Sequence, residues 1–133
     1  MNASAFIVGV GPGDPDWLTL GAAKALDVCE TVFHAGSADR AGFAYEIVAD
    51  RLRPDQSVRS VRLAMRRGAD DGSVGYDRAA LAMAEESRSG RVCGFLTEGD
   101  PMLFGTGSYV AEALARDAPD VPVTIIPGVP ALS

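Results

Sequence analysis

The chain has 133 residues, of which 47% are hydrophobic and 23% charged, and its formal net charge is −6 at pH 7. These values predict one soluble globular domain, and no apolar run approaches the roughly 18 to 20 residues that a membrane-spanning helix needs. The negative charge argues against nucleic acid as a partner, because nucleic-acid-binding proteins present a basic surface.

The first half of the chain alternates between strand and helix patterns. The continuous apolar run at residues 4–10 is typical of a strand that is buried on both faces. A helical repeat follows, with Asp14 and Asp16 near its start, where negative charge suits the helix dipole. The pattern then predicts a strand at residues 31–33, a helix marked by Phe43, Ile47, Val48 and Leu52, and a strand at residues 57–61.

The second half begins with a polar segment, residues 66–75, that indicates a loop. The pattern then predicts a helix with Tyr76, Ala80, Met83 and Ala84 on one face, followed by a strand at residues 91–96. A glycine-rich turn at residues 99–107 comes next. The last two predicted elements are a helix with Val110, Ala113 and Leu114 on one side and a strand at residues 121–126. Helices between strands require crossover connections. We therefore predict an α/β fold: a three-layer, mostly parallel five-stranded sheet with helices on both faces.

Residues that commonly bind metals are scarce. The chain has two cysteines, Cys29 and Cys93, and a single histidine, His34. Each cysteine lies in or beside an apolar segment without a partner at metal-binding spacing, so we predict buried free thiols and no metal site. No basic leader or cleavage pattern marks the start of the sequence, which predicts a cytoplasmic protein.

Three turns that follow predicted strands form the candidate binding site, because ligands of parallel sheets collect at this edge. They are residues 9–15, 98–101 and 127–130. The first turn is close to a dinucleotide-binding loop, but its third glycine comes one position early and Pro12 lacks an N–H. Asp14 and Asp16 place carboxylates where a pyrophosphate would lie, so a cofactor with positive charge fits better. A nucleotide-binding oxidoreductase domain stays open as an alternative, and each turn taken alone is also consistent with an ordinary strand-to-helix connection.

Taken together, the turns resemble those of the tetrapyrrole (corrin/porphyrin) methylase family. The matching segments are VGVGPGDPDWLTLGAAKAL, FLTEGDPMLFGTGSYV and IIPGVPALS. The resemblance implies that residues 1–133 are an N-terminal domain, that a C-terminal domain is absent from this chain, and that S-adenosylmethionine binds between the two. It places the cofactor contacts at Pro12, Glu98, Gly99, Asp100, Leu103, Pro130 and Ala131. Family members commonly have a small hydroxyl residue where this chain has Pro130.

Within the family, the segments EGDPMLFGTGSYV and AYEIVADRLRP are most similar to precorrin-2 C(20)-methyltransferases. This similarity implies methylation of precorrin-2 to precorrin-3A in cobalamin synthesis, by a full-length protein that is a homodimer. Uroporphyrinogen-III methylases differ in having an aspartate at the position of Ala35 and a GGDP loop where this chain has Glu98. Methylases that act at other corrin positions, a methylase of proteins or peptides, and a non-catalytic binding module stay open as alternatives.

The reaction implied by the resemblance needs a base and a binding site for the substrate carboxylates. By side-chain type, His34 is the candidate base, although a single histidine is more often structural. Positive charge is concentrated at Arg51, Arg53, Arg59, Arg62, Arg66 and Arg67. Because guanidinium groups pair well with carboxylates, we predict that Arg62, Arg66 and Arg67 bind the tetrapyrrole. An ordinary solvated surface accounts for these arginines equally well.

Overall fold

The computed structural model describes residues 4–36, 43–62, 73–101 and 106–130. Its strands are β1 (Ala5–Gly9), β2 (Thr31–Gly36), β3 (Ser57–Arg62), β4 (Cys93–Thr97) and β5 (Val123–Ile126). Its α-helices are α1 (Leu20–Val28), α2 (Phe43–Val48), α3 (Ser73–Arg88) and α4 (Thr106–Asp117), and short 3₁₀ turns occupy Pro15–Trp17 and Ala49–Arg51. The strands form one sheet in the order β3-β2-β4-β1-β5, and all of their described pairings are parallel.

Helices cover both faces of this sheet, which confirms the predicted three-layer α/β architecture. Val8 and Val32 pack with α1 and α2 on one face, whereas Ile7 and Phe33 pack with α3 and α4 on the other. Neighbouring residues of a strand point to opposite faces and both faces are covered, so consecutive positions such as Ile7 and Val8 are apolar. In the part of the chain that is described, no helix is long and apolar enough to cross a membrane.

The structure corrects several predicted boundaries. The strand predicted to end at Phe33 continues to Gly36, because β2 pairs with β3 along that whole length. Helix α3 begins at Ser73, inside the segment predicted as a loop, and residues 66–72 lie outside the described residues. The remaining differences at strand ends amount to one or two residues.

The start of α1 also differs from the prediction. Asp14 caps the short 3₁₀ turn instead of α1, since its carboxylate accepts a hydrogen bond from the Asp16 amide at 2.9 Å. The N-cap of α1 is Thr19, whose hydroxyl accepts a hydrogen bond from the Ala22 amide at 3.0 Å. Threonine is a preferred residue at this position because its oxygen satisfies an amide that has no partner within the helix.

A buried carboxylate, Glu86, joins α3 to the amino edge of the sheet. Its oxygens accept hydrogen bonds from Arg91 Nε and Nη2, both at 2.9 Å, and from Thr31 Oγ1 at 2.5 Å. The Arg59 guanidinium lies 3.9 Å from the same carboxylate and over the Phe33 ring. The hydrogen bond from Arg91 is the main reason that the pKa of Glu86 is lowered. This network therefore favours the ionised carboxylate in the folded state.

The two cysteines are buried free thiols, as predicted. Cys29 packs on the α1 face of the sheet and Cys93 on the α3 face, and burial raises the pKa of each thiol to about 12. Because the thiolate is the reactive form, we expect no modification of the native protein by iodoacetamide at pH 8. Two thiols per chain should react after unfolding in guanidinium chloride. Fast modification under native conditions would contradict this expectation.

Candidate functional site

The three glycine turns meet at the carboxyl edge of the sheet. They follow β1, β4 and β5, which are adjacent in the strand order. A Cβ atom placed on Gly9 would lie 2.8 Å from the Gly99 carbonyl oxygen and 2.8 Å from the Gly128 amide nitrogen. One placed on Gly128 would overlap that same oxygen of Gly99. The prediction that the turns share one edge is therefore confirmed, and their backbones are in contact.

The glycines of these turns have a role that the sequence did not indicate. Gly9, Gly99 and Gly128 face one another, and the space between their backbones cannot hold a Cβ atom. A clash with backbone cannot be relieved by moving a side chain. Gly99 also has a φ of +64°, in the left-handed region that favours glycine. We refer to residues 9–11, Gly99 and Gly128 together as the turn junction.

Backbone hydrogen bonds close the space between the first two turns. The Val10 amide donates to the Thr97 carbonyl at 2.9 Å and the Gly11 amide donates to the Gly99 carbonyl at 3.3 Å. In return, the Gly99 amide donates to the Gly11 carbonyl at 2.9 Å, while the next residue, Pro12, has no N–H. In a dinucleotide site, amides at this position face the pyrophosphate. Here they are already paired, which argues against such a site.

The turn junction lies where adjacent strands lead to opposite faces of the sheet. β1 continues toward α1 on one face, and β4 continues toward α4 on the other. Such a point is where α/β proteins form a crevice for ligands. The charged residues of the three turns are all acidic, and they are Asp14, Glu98 and Asp100. These carboxylates therefore favour a ligand with positive charge at the junction.

Most of the predicted cofactor contacts lie at or beside this junction. Those that the structure describes are Pro12, Glu98, Gly99, Asp100 and Pro130. Pro12 follows the paired Gly11, and Glu98 and Asp100 flank Gly99 in the chain. The other two predicted contacts, Leu103 and Ala131, lie outside the described residues.

Thr19 connects the third turn to α1, a role that the sequence analysis missed. Its hydroxyl lies 3.4 Å from the carbonyl oxygen of Pro127, to which it donates, while it caps α1. A signal for the cap was present, since a threonine directly before an apolar helical repeat is a common helix start. The link to Pro127 had no such signal, because it joins residues 108 positions apart.

His34 lies inside the α1/α2 layer. Its side chain is 4% exposed, and its ring stacks on Tyr45 of α2 with the centroids 4.9 Å apart. Its Nδ1 atom lies 3.1 Å from the carbonyl oxygen of Ala35. These contacts are those of a packed structural histidine, so we do not assign the base to it.

The arginine-rich stretch divides between the two edges of the sheet. Arg59 contacts Glu86 near the amino edge, whereas Arg62 ends β3 at the carboxyl edge with its side chain exposed. β3 lies two strands from β4, so Arg62 is roughly 10 Å from the second turn. Arg66 and Arg67 lie outside the described residues.

Several known proteins are similar to this chain in sequence and fold. Residues 6–133 match the profile of the tetrapyrrole (corrin/porphyrin) methylases. The chain is 33% identical to a precorrin-2 C(20)-methyltransferase of Sinorhizobium sp, over 95% of this chain and 54% of that protein. It is 34% identical to a uroporphyrinogen-III C-methyltransferase of Pseudomonas aeruginosa, over 90% of this chain and 44% of that protein.

A similar solved structure is a Thermus thermophilus uroporphyrin-III C-methyltransferase in complex with S-adenosylhomocysteine. It matches 98% of this chain and 46% of its own length, with a TM-score of 0.68 and 27% identity. The chain spans about half the length of the curated relatives it matches. Because the family profile covers nearly the whole chain and a member's structure reproduces its fold, the chain belongs to the tetrapyrrole methylase family.

Proposed function

We propose that this chain is the N-terminal half of an enzyme that transfers a methyl group from S-adenosylmethionine to a carbon of a tetrapyrrole. A second α/β domain would complete the cleft. The observation that carries the proposal is the turn junction, where three turns with acidic residues meet and the amides of Val10, Gly11 and Gly99 are already paired with backbone carbonyls. The family of the chain supports the class of reaction, and the Thermus relative supports the cofactor.

The residues of the junction fit this cofactor. S-adenosylmethionine carries a positive sulfonium and no phosphate, so nearby negative charge favours its binding and no phosphate-binding amides are required. Glu98 and Asp100 supply carboxylates beside Gly99. We propose that the cofactor contacts are Pro12, Glu98, Gly99, Asp100, Leu103, Pro130 and Ala131. Pro130 has no side-chain hydrogen-bonding group, so it would contribute its backbone carbonyl.

The main role of the protein in catalysis is to bind the cofactor and the tetrapyrrole and to orient them. When bound, the cofactor supplies an electrophilic methyl group attached to a positively charged sulfur. The packed turns of the junction hold their contact residues at fixed positions, and such preorganisation is a large source of rate enhancement. A protein nucleophile is not needed for direct methyl transfer, and the base that removes the ring proton stays unassigned.

Removing the negative charge of Glu98 tests how the cofactor is recognised. In the full-length protein, Glu98→Gln should weaken binding of S-adenosylmethionine about tenfold but change binding of S-adenosylhomocysteine little, because only the former carries the sulfonium charge. Glu112→Gln, on the exposed side of α4, is the control. Calorimetry with both ligands and with NAD measures these effects.

Binding of NAD in preference to S-adenosylhomocysteine would favour the oxidoreductase alternative, and cofactor binding without methyl transfer would favour a binding module.

For the substrate we propose precorrin-2, with precorrin-3A as the product. The similarity to the Sinorhizobium enzyme supports this choice, as do Ala35 and Glu98, which depart from the uroporphyrinogen-III methylase pattern. Uroporphyrinogen III is the second candidate, because the Pseudomonas relative is equally similar. Mass spectrometry of products from each substrate separates the two. We also propose that the full-length protein is cytoplasmic and, from the resemblance alone, that it is a homodimer.

The proposed substrate arginines give a separate prediction. Changing Arg62, Arg66 and Arg67 together to glutamine should raise the Kd of the tetrapyrrole about tenfold or more, because each guanidinium would lose a carboxylate partner. Binding of S-adenosylhomocysteine should not change. The control changes Lys24, Arg78 and Arg116 to glutamine and removes the same charge from three helices. Equal substrate affinity in the variant and the control would remove these arginines from the site.

A further inference from the structure

Two tyrosines stack on each other near the starts of helices α3 and α4. The ring centroids of Tyr76 and Tyr109 lie 5.0 Å apart, and the ring planes differ by 29°. Tyr76 is partly buried against the core on this face of the sheet, whereas the side chain of Tyr109 is 45% exposed. The stack favours one arrangement of the two rings. Tyr109 therefore presents an aromatic ring to solvent in a supported position.

The start of α3 lies at the same edge of the sheet as the turn junction. Near the other end of this helix, Glu86 accepts a hydrogen bond from Thr31, the first residue of β2, at the amino edge. Tyr76 precedes Glu86 in α3 by about 15 Å of helix axis, which is close to the length of a strand. Tyr76 therefore lies at the carboxyl edge.

The start of α4 is packed closely on the strand that leads into the second turn. A Cβ atom placed on Gly107 would lie 2.9 Å from Thr97 Cβ and 3.0 Å from Ile7 Cγ2. Thr97 ends β4, and its carbonyl accepts the hydrogen bond from the Val10 amide of the turn junction. Tyr109 follows Gly107 within one helical turn, so its backbone lies close to the level of the junction.

The packing of α4 on the sheet does not depend on Tyr109. The buried face of this helix is formed by Val110, Ala113 and Leu114, and Tyr109 lies beside that face on the side of α3. Single exposed apolar residues are common on protein surfaces. Tyr109 differs from them because its ring is supported by a stack and lies at the edge where α/β proteins bind ligands.

The position of Tyr109 favours the substrate over the cofactor as its ligand. The three turns follow β1, β4 and β5, whereas Tyr109 lies toward α3, which contacts β3 through Glu86 and Arg59. β3 ends at Arg62, one of the proposed substrate arginines. A tetrapyrrole that reaches from the junction toward Arg62 would pass this ring. The macrocycle also offers a broad face on which an aromatic side chain can stack.

We propose that Tyr109 binds the tetrapyrrole by placing its ring against a face of the macrocycle, while Tyr76 holds that ring in position. This inference rests on the proposed function, because it assumes that the acceptor is a tetrapyrrole. Tyr109 supplies neither a nucleophile nor a base to the reaction. Its loss should therefore weaken binding of the substrate and leave binding of the cofactor unchanged.

Variants of the full-length enzyme test this role of Tyr109. Tyr109→Ala should raise the Kd of precorrin-2, or of uroporphyrinogen III if that is the substrate, about tenfold. Tyr109→Phe retains the ring and should stay within about twofold of wild type. Leu81→Ala, which removes an exposed apolar side chain from α3, is the control. Equilibrium titration with both tetrapyrroles, calorimetry with S-adenosylhomocysteine and urea unfolding are carried out on every variant.

Three outcomes would overturn the inference. Unchanged tetrapyrrole affinity in Tyr109→Ala would remove the residue from the site, and an equal loss in Tyr109→Phe would show that the ring is not what binds. Equal weakening of S-adenosylhomocysteine binding would indicate a contact with the cofactor or a loss of structure, which the free energy of unfolding separates. Failure of the proposed function is a different result, because wild type itself would then bind neither tetrapyrrole.

Discussion

Gly128→Ala should destabilise the protein by about 3 kcal/mol and abolish measurable binding of S-adenosylhomocysteine. The added Cβ atom would overlap the carbonyl oxygen of Gly99 and lie 2.8 Å from the carbonyl carbon of Gly9. Both neighbours are backbone atoms, so a strand end or a whole turn must move. Urea unfolding gives the free energy of unfolding, and calorimetry of the full-length protein gives the affinity.

Gly21→Ala is the matched control for this substitution. Gly21 lies in the first turn of α1, and its added Cβ atom would meet Ile126 Cγ2 at 3.5 Å, an ordinary van der Waals distance. Alanine is the better helix former, so we expect a gain of roughly 0.5 kcal/mol and unchanged ligand affinity. Equal effects of the two substitutions would show that the turns are not packed as described.

Glu86→Gln should lower the free energy of unfolding by about 2 kcal/mol at pH 7. Glutamine has nearly the same shape, but its neutral amide cannot accept both hydrogen bonds from Arg91 or pair with Arg59. The buried Thr31 hydroxyl also loses a charged acceptor. Urea unfolding at several pH values measures the effect.

The pH dependence of this effect has a definite sign. The pKa of Glu86 in the folded protein lies below its usual value of 4.5, so its contribution is present above pH 4.5 and is lost as the pH falls toward the folded pKa. The stability difference between wild type and Glu86→Gln should therefore shrink in acid. Asp120→Asn removes the exposed pair with Arg88 and should change stability little, since both partners are about half exposed. A difference for Glu86→Gln that stays constant with pH would contradict the proposed network.

The layers of the fold could be predicted because the sequence repeats one local pattern. Strands such as β1 and β4 are apolar at consecutive positions, which is expected only where both faces are covered. Their order in the sheet could not be predicted in the same way. β4 lies between β2 and β1, and this insertion depends on packing between residues far apart in sequence.

The edge at which the turns meet could be predicted, but their detailed contacts could not. A parallel sheet brings the ends of its strands together, so turns at residues 9, 99 and 128 had to share one edge. The pairing of Gly11 with Gly99 depends on β1 and β4 being neighbours, which no local pattern reports. The surroundings of each arginine in this stretch also depend on where it lies along β3. A strand crosses the sheet from edge to edge, so Arg59 and Arg62 lie near opposite ends.

The bridge between Gly11 and Gly99 also bears on attempts to engineer the specificity of this domain. Inserting one residue into the first turn would restore dinucleotide-type glycine spacing, but the amides needed by a pyrophosphate would still be engaged by the neighbouring turn. A redesign would have to change the first and second turns together, and Gly128 packs against both of them. The three turns therefore constrain one another's sequence, and loop grafts that replace only one of them should fail to fold.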